Sequence, residues 1–143
     1  MNARLILLAT LFTLLALGWV GACVILRAAQ VGELVMPLED REFDSLELVT
    51  VGTGGPYENP ERLGPTLAIG WDNHVLLVDA GRGTAEALRH SGIPVSQPRT
   101  ILLTNLLPYN TMGLDDLIFT GWLVGREESV QLIGPPGTRA FAE

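Results

Sequence analysis

The chain has 143 residues, enough for one domain, and sets 16 acidic residues against 9 arginines with no lysine, a formal net charge of −7 at pH 7. A protein that grips nucleic acid through its phosphates carries a basic face, so this balance argues against a nucleic-acid partner. The single cysteine, Cys23, rules out an intrachain disulfide.

The first element is "LILLATLFTLLALGWVGACVIL", Leu5 to Leu26, 22 residues without a charge. That length suits a helix spanning a bilayer and exceeds the apolar core of about 7 to 15 residues usual in a cleaved signal peptide. Arg4 precedes the segment and Arg27 is followed by Glu33, Glu39 and Asp40. The positive-inside tendency therefore predicts a cytoplasmic amino terminus and an exported remainder at a bacterial inner membrane. An uncleaved anchor fits best. A cleaved signal remains an alternative, as does a lipoprotein, because "VGAC" resembles a lipobox and would make Cys23 the lipidated residue. The domains are then an anchor or signal segment at 1–27, a linker at 28–45 with Pro37 and clustered charges, and a folded part at 46–143. Residues 28–143 hold 7 arginines against the 16 acids, a net of −9, which reads as simple solubility.

"LELVTV", Leu46 to Val51, alternates as a strand does, and "GTGGP" follows as a sharp turn in which Gly52, Gly54 and Gly55 supply backbone angles other residues avoid. That glycine run lacks the Gly-Lys-Ser/Thr ending of a phosphate loop. "PTLAIGW" and "HVLLVDAG" predict two strands joined through a hairpin tip at "DNH", the second apolar enough to be buried on both faces. "GTAEALRHSG" predicts a short helix with Thr84 as cap, His90 in the last turn and Gly92 just past the end. "RTILLT" is the next buried strand, followed by the loop "NLLPYNTM", a helix over about Gly113 to Val124, a strand "VQLIG", and a last helix opened by "PPGT". Strands alternating with helices make an α/β, or mixed α+β, architecture.

Two histidines, His74 at a hairpin tip and His90 at a helix end, are too few and too scattered for a metal site or for a Ser-His-Asp arrangement. Tyr109 and Asn110, in a loop at a strand end, are placed to line a small ligand cleft.

Four pieces in order, "LVTVGTGGP", "HVLLVDAGRGT", "ILLTNLLPYNTMGLDDL" and "LIGPPGT", resemble the amino-terminal half of the αββα metallo-β-lactamase fold, closest to its ribonuclease Z and arylsulfatase-like branch. They cover about residues 46 to 143. In that family the third piece reads Thr-His-x-His-x-Asp-His with a glycine soon after, and its side chains grip two zinc ions that activate a shared water. The resemblance implies Thr104 and Gly113 as matching positions, and places Asn105, Leu107, Tyr109 and Asn110 where the ligands belong. Leu107 offers no donor atom, and neutral Asn is a poor zinc ligand beside imidazole. Asp79, in "VDAG", matches the family's aspartate that supports the ligands by hydrogen bonds; the residues themselves read as an ordinary Asp-x-Gly turn. The family's remaining ligands come from its carboxy-terminal half.

The resulting expectation is a membrane-anchored protein of this fold that has lost its zinc motif and is catalytically inactive alone, with no cofactor on this chain although intact relatives hold zinc. One alternative is a zinc-dependent hydrolase of esters or phosphodiesters completed by another chain or by a missing second half. Another is a protein-binding or structural module. A half-domain would leave one sheet face uncovered, which predicts a protein partner or self-association there, besides a membrane met through residues 5–26.

Overall fold

The computed structural model describes residues 3–35 and 38–143, with side chains described for 9–27 and 38–143. The orienting Arg4 and the linker's Pro37 lie outside the described side chains. The chain forms two compact units, Met1–Met36 and Pro37–Glu143.

The first unit holds one α-helix, α1, Ala3–Val35. It contains a window, Ala9–Arg27, long and apolar enough to cross a membrane by length and composition. Its 33 residues amount to about 50 Å against a hydrocarbon core of ~30 Å. The helix continues eight residues into the segment expected to be linker, because Ala28, Ala29, Gln30, Glu33 and Leu34 favour helix over coil. Cys23, free and exposed, sits inside α1.

The second unit is one five-stranded sheet carrying helices. Its elements are β1 Phe43–Gly52, β2 Thr66–Asp72, β3 His74–Val78, α2 Thr84–His90, β4 Thr100–Leu102, α3 Pro108–Thr111, α4 Leu114–Leu123, β5 Gln131–Ile133 and α5 Thr138–Ala142. The strand order is β1-β2-β3-β4-β5; the first three strands are antiparallel and the last three parallel. Helical crossovers through α2, and then through α3 and α4, are what parallel neighbours require.

β1 begins at Phe43, three residues before the expected start at Leu46. The buried Phe43 ring lies against Gly70, where an added Cβ would come within 2.5 Å of it, and the Arg41 guanidinium sits over the ring at 4.8 Å from its centroid. A polar stretch is thus held as strand by one aromatic anchor. The hairpin tip is tight, with Asp72 at φ 50 and Trp71 stacked on His74 at 5.5 Å.

The glycines after β1 do something other than expected. Neither Gly52, Gly54 nor Gly55 has a positive φ. Gly52 and Gly54 instead allow the loop to return against itself: an added Cβ would sit 1.9 Å from the Gly64 carbonyl oxygen and 2.6 Å from that of Leu63. Thr84 is not the α2 cap either. Gly83, in the left-handed region at φ 74, takes that place, and the buried Thr84 hydroxyl donates to the Gly81 carbonyl at 2.7 Å.

Residues paired across strands share a face, so the registers sort the sheet's side chains into two sets. One face carries Ala68, Leu77, Val75 and Ile101 and is buried under Ala85 and Leu88 of α2 and Leu114 and Leu117 of α4. The other carries Leu48, Ile69 and Leu76 in one row and Leu67, Val78, Leu102 and Ile133 in the next. No described element covers that second face. Leu48 is 66% exposed, and Leu46, two residues before it, 75%. β3 is therefore fully buried on one face only, with Leu76 and Val78 half-buried, where its apolar run predicted burial on both.

Beyond α4 the chain turns at Gly125, φ 99, and sends Arg126 back beneath Gly121. The guanidinium donates to the carbonyls of Val95 and Ser96, and its burial lowers its pKa from the ordinary arginine value.

Candidate functional site

Three loops meet at the carboxyl ends of β3 and β4: the return of the β1–β2 loop at Gly64 and Pro65, the Asp79–Gly83 turn, and residues 103–113. Open α/β sheets place their sites at this edge. The backbones touch directly. Gly64 N donates to Arg82 O at 2.8 Å, Gly81 N to Pro65 O at 3.1 Å, Ala80 N to Asn110 O at 2.8 Å, and Gly113 N to Ala80 O at 2.9 Å. Gly113 has an ordinary φ of −90, but an added Cβ would stand 2.0 Å from the Gly81 carbonyl oxygen. Close approach, not backbone angle, is what this position demands.

Asp79 closes the arrangement from inside. It is buried and sits at φ 61, a left-handed conformation that Asp adopts more readily than most residues. Its Oδ1 accepts the Thr104 backbone N–H at 2.8 Å; its Oδ2 accepts the Thr104 hydroxyl at 2.7 Å and the Asn110 side-chain amide at 3.1 Å. The Thr104 hydroxyl also accepts from Asn105 Nδ2 at 3.3 Å and Asn110 Nδ2 at 3.2 Å. One donor and two acceptor positions are thereby all used.

Asn105 Oδ1 accepts the Leu107 N–H at 2.9 Å, a side-chain turn that leads into α3 with Pro108 at its first position. This short helix was not expected, though an Asn three residues before a Pro is a legible start signal. Leu107 stands exposed and Tyr109 half-exposed at the surface of the turn. Tyr109 lines a cleft of about 310 Å³ with Gly55, Pro56, Glu58, Gly64, Arg82 and Met112; Asn110, expected to share it, is buried elsewhere.

These residues do not fit a metal ion. Leu107 brings no donor atom, Asn105 spends its oxygen on the turn, and the Asn110 amide is turned as a donor toward Asp79 and Thr104. Among the described residues no three His, Cys, Asp or Glu side chains gather as a ligand set. His74 is stacked on Trp71 and His90 ends α2, neither at the loop cluster. What the ligand pattern concealed is the part Asn110 plays: it stands at a ligand position yet serves as a hydrogen-bond donor that ties the loop to Asp79.

With this geometry in place, the chain is a metallo-β-lactamase-fold protein of the ribonuclease Z-like branch. No family model matches the sequence. It is similar to ribonuclease Z of Mycobacterium sp. strain KMS, 36% identical over 95 residues that make up 65% of this chain and 33% of the relative. Ribonuclease Z of Mycobacterium marinum is 33% identical over 96 residues, covering 65% and 34%. Among solved structures, the short form of human tRNase Z superposes with a TM-score of 0.61 at 27% identity, over 66% of this chain and 37% of that one. A metallo-β-lactamase fold protein from Bacillus subtilis gives 0.57 at 18% identity, over 64% and 38%, a likeness of fold alone. The chain spans about a third of the length of the curated relatives it matches.

Proposed function

We propose that this chain is a membrane-anchored protein of the metallo-β-lactamase fold, held by α1 with its domain on the exported side of a bacterial inner membrane, whose loop cluster binds no zinc and catalyses nothing alone. It acts by docking a second protein layer on its apolar sheet face. The observation that carries the reading is the closure at Asp79: at the ligand positions Leu107 has no donor atom, Asn105 is bonded into the turn, Asn110 is bonded to Asp79 and Thr104, and Tyr109 lines the neighbouring cleft. The uncharged run in α1 supports the anchor, and the uncovered rows of Leu48, Leu102 and Ile133 support the docking face.

The test is the zinc content of the full chain purified in detergent from its own membrane together with whatever accompanies it. Zinc near zero per chain is expected. One or two zinc ions per chain that survive dialysis would overturn the reading in favour of a hydrolase whose ligands come from another chain, the activity class its relatives' names suggest.

Docking has its own check. The full chain in detergent should run in light scattering as an assembly with a second copy or a co-purifying protein, and Leu48→Glu with Leu102→Glu should dissolve that assembly while leaving circular dichroism unchanged. A lone monomer for the unaltered chain would sink this half of the proposal.

A further inference from the structure

None of the outward-facing paired positions of the sheet holds an Asp, Glu or Arg side chain, although residues 28–143 carry a net charge of −9. The rows of leucine, isoleucine and valine there are completed by the uncharged Thr50, Thr100 and Gln131. At the hairpin end they finish in Trp71 and His74, paired across β2 and β3 with their rings stacked at 5.5 Å. Five strands ~4.8 Å apart, with outward rows ~7 Å apart along them, give this face a footprint of ~500 Å². Two such footprints total about 1,000 Å², near the lower limit for a specific interface between proteins.

We infer that the layer docked on this face is a second copy of the chain, the two sheets stacked face to face about a twofold axis. The inference rests on the anchored, docking reading proposed above and names its partner. Charge favours a copy. Elsewhere on the domain the surplus of acids sets like charge against like when two copies approach, whereas this face presents a copy with nothing to repel. An unlike partner, by contrast, finds no charge here to be selected by. Area favours a copy as well, because a contact this small gains most from confinement, and copies held by α1 in one bilayer are confined to one plane. A twofold contact uses the same patch on both chains, so each apolar face is spent on the other and assembly stops at two. Sheets stacked in this way lie ~10 Å apart with their side chains interleaved, which buries Leu48, Leu102 and Ile133 together.

The test is energy transfer between copies in a membrane. Cys23→Ser with Glu143→Cys leaves one exposed thiol for a dye, and donor-labelled and acceptor-labelled full chains are reconstituted together, with no other protein, in phosphatidylcholine vesicles at low surface density. Transfer above that of randomly placed chains is expected. Raising sodium chloride from ~20 to ~500 mM shortens the screening length from ~20 to ~4 Å, so the surface density giving half-maximal transfer should fall by roughly tenfold or more as the acidic domains cease to repel. Leu48→Glu with Leu102→Glu should abolish transfer; both leucines are exposed in the single chain, 66% and 37%, and native circular dichroism confirms that the fold survives. Transfer that persists in that variant, or that weakens with salt, places the contact on another surface and overturns the inference. If the pure chain shows no transfer while the chain from its own membrane scatters light as an assembly with a different protein, the inference falls and the docking reading stands. No transfer and no assembly sinks both.

Discussion

Replacing Asp79 with alanine is expected to destabilise the domain by about 2–4 kcal/mol, since the buried Asn110 donor left without this acceptor costs ~1–3 kcal/mol and alanine is strained in the left-handed conformation. The carboxylate accepts from the Thr104 amide, the Thr104 hydroxyl and the Asn110 side chain at once; Asn110 is buried, whereas Thr104 is exposed to solvent. The Thr104 hydroxyl and amide can therefore turn to water or another acceptor, and the main loss falls on the buried Asn110 amide. For a domain of this size the loss corresponds to a fall in Tm of roughly 10 °C or more. Asp79→Gly separates the two contributions: it relieves the backbone at φ 61 but restores no acceptor, and should remain well below the unaltered chain. Asp79→Asn keeps one acceptor oxygen and turns an amide toward a donor, so an intermediate loss is expected. Thermal unfolding of the full chain in detergent reads all three, and a Tm for Asp79→Ala within a degree or two of the unaltered chain would show that the carboxylate does not tie the loops.

The second large effect is expected at Gly113. Helix propensity favours alanine over glycine by ~1 kcal/mol, and Gly113 directly precedes α4, so a propensity argument predicts stabilisation. The structure predicts the opposite. A Cβ there meets the Gly81 carbonyl oxygen at 2.0 Å and the Ala80 carbonyl oxygen at 3.1 Å, both backbone atoms that cannot rotate away. The loops must part, breaking Gly113 N to Ala80 O and straining Ala80 N to Asn110 O. The cost is about 3 kcal/mol or more, as for a side chain forced into a filled interior. Gly55→Ala is the control: nothing lies within 4 Å of its Cβ, and its effect should be near zero. Equal melting of the two variants in the same denaturation series would refute the close-packed loop frame.

Much of this architecture is legible in the sequence because apolar runs bounded by turns can satisfy their backbones in few ways. All five strands and helices α2, α4 and α5 fall where "LELVTV", "PTLAIGW", "HVLLVDAG", "RTILLT", "VQLIG" and the stretches between them place elements. The start of β1 is not legible, because Phe43 is held by packing against Gly70, a residue far away in the chain. The α2 cap is misread for a related reason: Thr84 has the right side chain, but Gly83 has the backbone freedom the turn needs, and Thr84 is drawn inward to Gly81 and Thr66. At the site, the sequence reveals what stands at the ligand positions and what Leu107 cannot do. It conceals what Asn105 and Asn110 do instead, since an amide's partners are fixed by tertiary contact with Asp79 and Thr104 rather than by spacing along the chain.

The strand order β1-β2-β3-β4-β5 also bears on how the sheet comes into being. Every strand pairs only with its neighbours in the chain, so no strand has to be inserted between two that are already joined. Each newly synthesised segment finds its partner on the growing edge, with loop-closure distances kept short throughout. A nascent chain can therefore assemble this sheet in the direction of translation, without holding an unpaired strand open for a later arrival.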